Sequence, residues 1–132
     1  MTDRVEVESA MAAYNAAFVA AFQANDPALV AHHYRMPLVF ASAGHVQAYE
    51  TVQAVTHWLR SVHGGLRARD YDHTEYDVDA VDILNAGTAA LDLTFRLLDG
   101  AGKVFHTERS RYIFVKEQRA WRVLSAFLLD SH

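Results

Sequence analysis

The sequence predicts an α+β fold, with helices laid on one face of a strongly curved, mostly antiparallel sheet. Three observations carry this. Helical periodicity fills the first half of the chain. The period changes to two near Asp70. From there on, short turns separate long strand-like runs, the pattern of an antiparallel meander.

Residues 5–24 are Ala-rich and place Met11, Tyr14, Phe18 and Phe22 at steps of three and four, one apolar stripe on a helix. Asn25-Asp26-Pro27 breaks it, with Asp26 as an N-cap and Pro27 at a first helical position. A second, short helix is expected from Pro27 to about Arg35, ended by Pro37. Leu38 to Ser42 reads as a strand, Ala43-Gly44 as its turn, and His45 to Tyr49 as the return strand. Thr51 caps a third helix, whose stripe is Val52, Val55, Leu59, Val62 and Leu66, and Gly64-Gly65 is expected to disturb its last turn. Then come alternating runs. One is Thr74, Tyr76, Val78 and Ala80; the next is Ala89, Leu91, Leu93, Phe95 and Leu97. Lys103 to Lys116 and Trp121 to Leu129 follow. The whole chain, 1–132, reads as a single domain.

A turn at Gly100-Ala101 would set Phe95 opposite His106, Leu93 opposite Glu108 and Leu91 opposite Ser110. A turn at 117–120 would set Phe114 opposite Val123, Tyr112 opposite Ser125 and Ser110 opposite Phe127. One face then collects Leu91, Leu93, Phe95, Leu97, Tyr112, Phe114, Trp121, Val123 and Phe127, and it is taken as the face under the helices. His106, Glu108, Ser110 and Ser125 fall among them, and ionisable groups amid so much apolar area are the informative exception. The other face carries Arg96, Arg109, Arg111 and Arg122, with Asp92 across from Arg109, and suits salt bridges or a sheet-to-sheet contact.

Composition excludes several classes. Twelve Lys and Arg against sixteen Asp and Glu leave a net charge of −4, a poor match to nucleic-acid phosphates or an anionic membrane. There is no Cys, hence no thiolate chemistry and no Cys-based metal site. The charged start and the lack of a long apolar run point to no signal peptide and no membrane span, and a cytoplasmic home is expected.

The long first helix, the Asn-Asp-Pro-x-Leu element leading to Tyr34-x-x-Pro37, the hairpin, the third helix and a meander closing with Trp121-Arg122-Val123 together resemble the nuclear transport factor 2-like (SnoaL-like) superfamily, over about residues 8–130. Leu66 to Tyr71 and Trp121 to Asp130 resemble one particular branch of it. The resemblance implies a cone-shaped fold, a pocket between helices and sheet, and homodimers packed through the sheet. It covers isomerases, cyclases, dehydratases and non-catalytic modules, so it leaves the activity open. Ketosteroid isomerase, one such relative, uses a Tyr, a protonated Asp and an Asp base. Those roles would fall on Phe18, near Ser110, and near Ala41 or Ser42; none of the three residue types is kept, and steroid isomerisation is not predicted. The Asp–His arrangement of the related polyketide cyclases could be played only by His106 and Glu108.

His106 and Glu108, two apart on a strand, share a face. In an apolar cavity the charged form of Glu108 would be disfavoured, which suits a general acid or base; at a rim it would be solvated or salt-bridged. Tyr14, Tyr34, Trp58 and Tyr112 supply hydroxyl and indole donors, and Phe18, Ser110, Ser125 and Phe127 complete the expected ligand lining; each is equally an ordinary core residue. His73, Glu75 and Asp77 stand at i, i+2 and i+4, a metal-like spacing, but in an acidic stretch that reads as a solvated face, so no metal and no cofactor are assigned. The expected ligand is a small apolar organic molecule. The two functional classes left are cofactor-independent acid/base catalysis and a non-catalytic binding or association module.

Overall fold

The computed structural model describes residues 2–131, and it is the α+β cone the sequence implies. Helix α1 (Asp3–Ala24) starts at Thr2, whose hydroxyl accepts from the Val5 amide, and stops at Asn25 in the left-handed conformation. Its stripe buries Val7, Met11, Tyr14 and Ala21. Helix α2 (Ala28–Ala31) is a single turn, with Asp26 Oδ1 accepting from the Ala28 amide. It is shorter than expected because strand β1 (Tyr34–Ser42) begins before Pro37: Tyr34 already pairs with Val123. The β1 register slips between Tyr34 and Val39, and the proline sits in that irregular stretch, where no ladder donor is needed. Ala43 and Gly44, both at positive φ, turn the chain into β2 (His45–Tyr49). Thr51 caps α3 (Val52–Arg67), which runs unbroken through Gly64 and Gly65; both glycines face open space, and the Ala68 amide still reaches the Gly64 carbonyl.

The sheet has the order β2-β1-β6-β5-β4-β3, where β3 is Tyr71–Asn85, β4 Thr88–Asp99, β5 Val104–Glu117 and β6 Ala120–Ser131. All neighbours are antiparallel except β1 and β6. The β4–β5 register is two residues from the expected one: Leu97 faces His106, Phe95 faces Glu108, Leu93 faces Ser110, and Asp92 faces Arg111 rather than Arg109. A shift of two preserves every side chain's face. The helix-covered face is therefore as expected on β4 and β5, and Leu91, Leu93, Phe95, Tyr112 and Phe114 join α1 and α3 in one core.

Strand β6 differs. A bulge after Val123 puts Ser125 opposite Ile113 and Phe127 opposite Arg111, on the face turned away from the helices, while Ala126 takes the inner position opposite Tyr112. Ser125 and Phe127 therefore leave the expected ligand lining. On that outer face Arg111 grips Asp92 (2.6 and 3.1 Å), Arg109 meets Asp130 (3.0 Å) and Arg96 meets Asp77 (2.7 Å). Among the described residues no helix is long and apolar enough to cross a membrane.

Candidate functional site

Between α1, α3 and the inner face of the sheet lies a cavity of about 140 Å³. Tyr14, Asn15 and Phe18 come to it from α1, Val62 and Leu66 from α3, and Thr74, Phe95, Leu97, Glu108 and Tyr112 from β3, β4 and β5. The lining is mostly apolar with a few convergent polar groups, the usual make-up of a small-molecule site. Its size is close to that of an engineered cavity of roughly 150 Å³ that accepts benzene.

Glu108 and His106 sit together on β5, with His106 Nε2 3.3 Å from Glu108 Oε2. The His106 side chain is 28% exposed and that of Glu108 31%, so the pair stands at a rim rather than in the depth of the cone. Glu108 lines both the cavity and an outer groove of about 350 Å³, which it shares with Val62, Leu66 and Leu97. His106, Arg69 and Phe105 complete that groove on the solvent side. The carboxylate is thus the one ionisable group in the wall of both spaces.

Deeper in, three phenols form a cluster. Tyr14 Oη and Tyr34 Oη are hydrogen-bonded at 2.8 Å, and the Tyr112 ring packs beside Tyr14 with centroids 5.9 Å apart. Burial, reinforced by the neighbouring phenol, pushes all three well above the usual tyrosine range. They remain neutral hydroxyls, able to donate, at any physiological pH. Tyr14 and Tyr112 face the cavity; Tyr34 stands behind Tyr14 as its partner.

The other expected site residues are placed elsewhere. Trp58 packs on Phe40, Tyr49 and Tyr34 (ring centroids 4.7, 5.2 and 6.4 Å apart) and seals the β1–β2 end of the cone. Ser110 is buried between Leu93 and Leu128 in the sheet register and does not line the cavity. In β3, His73 is held by Asp72 (2.7 Å) and lies 3.6 Å from Glu75, whereas Asp77 is taken by Arg96; among the described residues no cluster of three potential metal ligands forms.

Two polar residues, one in the cavity wall and one packed behind it, carry little signal in the sequence pattern. Asn15 donates to the Thr74 carbonyl (3.0 Å), tying α1 to β3 at the cavity wall; a polar side chain next to Tyr14 on an apolar stripe was the available signal. His63 on α3 is 1% exposed, wedged edge-on against Phe18 and Phe22, and neither ring nitrogen has a hydrogen-bond partner among the described residues. Burial, with the nearby Arg67 charge, lowers its pKa below the ordinary histidine value.

Residues 5–130 match the model of a family described as NTF2-like protein (DUF6841). No curated protein matches the sequence. Among solved structures, a domain of unknown function with a cystatin-like fold from Nostoc punctiforme is similar at 15% identity, covering 96% of this chain and 78% of its own, with a TM-score of 0.72. An NTF2-like protein of unknown function from Shewanella oneidensis is 11% identical over 93% of this chain and 98% of its own, with a TM-score of 0.68. A ketosteroid isomerase-like protein from Erwinia carotovora atroseptica is 16% identical over 96% and 95%, with a TM-score of 0.63. At these identities the likeness speaks to the fold alone.

Proposed function

The chain belongs to the NTF2-like family whose model spans its residues 5–130, and from that premise we propose that it is a small-molecule pocket protein catalysing a cofactor-independent proton transfer: an isomerisation, dehydration or cyclisation. Glu108 is the general base and acid. It takes a proton from a carbon held at the inner end of the groove and returns it to another position of the same molecule. His106, 3.3 Å away, orients the carboxylate and exchanges protons with it. Charge developing on an oxygen of the substrate is met by the neutral phenols of Tyr14 and Tyr112, with Tyr34 fixing Tyr14 from behind. The observation that carries this reading is the shared wall: one carboxylate reaches both the apolar cavity and the entry groove, with two buried hydroxyl groups on the cavity side.

Native mass spectrometry on freshly purified protein is the test of the pocket, and turnover of the ligand so identified is the test of the chemistry. Glu108→Gln is expected to lower turnover by roughly 10²-fold or more, the usual range for a positioned acid/base group, while ligand binding persists. Unchanged turnover in that variant removes the acid/base role. A ligand that is bound and released unaltered by the wild-type protein leaves a non-catalytic binding module.

A further inference from the structure

The groove outside the cavity contains a cation with no carboxylate partner. Arg69 follows α3, and its guanidinium lies over the Phe105 ring at 4.5 Å, with Nη2 donating to the Phe105 carbonyl at 3.2 Å. These two contacts hold the guanidinium against the groove wall. Arg4, Arg35, Arg96, Arg109 and Arg111 each face an Asp or Glu of the chain; Arg69, like Arg60, Arg67, Arg119 and Arg122, has no such partner within ion-pair distance among the described residues, and of these it is the one in the groove wall. A guanidinium carries five donors in a planar fork, so most of them remain available. Besides Arg69 the groove is walled by Leu66, Leu97 and Glu108, and these three also stand in the wall of the cavity behind it.

We propose that this site takes a small carboxylic acid, its carboxylate held by Arg69 at the groove and its apolar body passing Glu108 into the cavity. The proposal rests on the pocket reading above and names the substrate class for it. The planar fork matches a carboxylate in bidentate fashion, and a guanidinium preordered on an aromatic face loses little freedom on binding. The cavity's 140 Å³ limits the body to about one six-membered ring or a short branched chain. Glu108, turned toward His106, adds a like charge to the groove but has a local partner for it. A neutral ligand of the same shape would leave the Arg69 fork unused, so the acid should be discriminated from its amide.

The test is isothermal titration of the full chain at pH 7.5 with benzoate, benzamide, benzyl alcohol and phenyl phosphate, together with monocarboxylates of four to eight carbons and their amides. The expected result is that the best acid binds at least fivefold more tightly than its amide. Arg69→Gln should erase that preference and leave the amide's affinity unchanged. Arg69→Lys, which keeps the charge and loses the fork, should retain part of it, and it decides the matter if the glutamine variant does not fold. Acid and amide binding alike, or acid binding that is indifferent to both Arg69 variants, overturns the assignment. If only the neutral compounds bind, the cavity reading stands and the carboxylate handle fails. If none of the compounds binds, both fall. Phenyl phosphate binding more tightly than every acid in an Arg69-dependent way replaces the carboxylate by a phosphate ester and also overturns the proposal.

Discussion

The two ends of the cone are built on different terms. At the closed end the hydroxyls of Tyr14 and Tyr34 satisfy each other, Tyr112 packs beside Tyr14, and Trp58 is stacked into Phe40 and Tyr49. At the mouth Glu108, His106 and Arg69 are partly wet, and Arg69 has no carboxylate partner among the described residues. The closed end stabilises the fold and presets donors. The mouth contributes little to stability, which leaves its side chains available for the binding role proposed for them. That difference can be broken or sharpened by measuring stability and ligand binding separately.

The largest contrast is expected between Phe114→Ala and Glu108→Gln. Phe114 is 1% exposed in the central core. Truncating it removes its transfer energy and leaves a cavity, costing about 3–5 kcal/mol in urea denaturation. Glu108→Gln, a near-isosteric change at a rim that is 31% exposed, is expected to cost under about 1 kcal/mol. Comparable losses in the two variants would make Glu108 a structural residue.

Next in size are the phenols. Tyr14 hydrogen-bonds Tyr34, so Tyr14→Phe strands the buried Tyr34 hydroxyl and should cost about 1–3 kcal/mol. Tyr34→Phe strands the Tyr14 hydroxyl, which faces the cavity, so the cost is nearer about 1 kcal/mol. If both substitutions prove neutral in thermal melts, the Tyr14–Tyr34 bond holds nothing in place, and the proposed preset donors go with it.

What was legible in the sequence follows the same division. The helix stripes and the strand alternation predict the core and the face of His106 and Glu108, because a two-residue register shift leaves parity intact. The bulge that turns Ser125 and Phe127 outward has no glycine or proline to mark it. It belongs to the β6 strand that pairs with β1 in parallel on one side and β5 on the other, a tertiary constraint invisible in local pattern. Trp58 has the composition of a ligand-facing aromatic, but the β1–β2 hairpin closes over it. Arg69 meets Phe105 only through the fold; nothing in Arg69-Asp70-Tyr71 says which strand will lie beside it.

A third, smaller effect separates neutral from acidic conditions. The folded pKa of His63 is lowered by burial, so the unfolded chain binds this proton more readily. Its contribution is fully present above the ordinary histidine value and is lost as pH falls through that value toward the folded one. His63→Leu is expected to be at least as stable as wild type at pH 7.5, and its advantage should widen as the buffer is taken from pH 7 to pH 5. A wild-type stability that is flat across this interval would mean that a proton acceptor reaches the ring.

The smallest effect lies on the outer face and appears in a different pH window. Asp92 is held below its ordinary value by its hydrogen bonds to Arg111, with Arg109 adding to the field. A depressed carboxylate stabilises the fold above its unfolded pKa and loses that contribution as pH falls through the folded one. Asp92→Asn should therefore show a small deficit at pH 7 that shrinks to nothing below the carboxylate range, the reverse of the His63→Leu trend. Because the Arg111 side chain is 49% exposed, salt screens the pair, and the deficit should be halved or less in 1 M NaCl. A deficit that resists salt would mean that this face is covered in solution, since only a desolvated pair escapes screening. The same two variants, run on one pH series, thus report whether acid sensitivity comes from the buried imidazole under the helices or from the charged ladder outside the sheet.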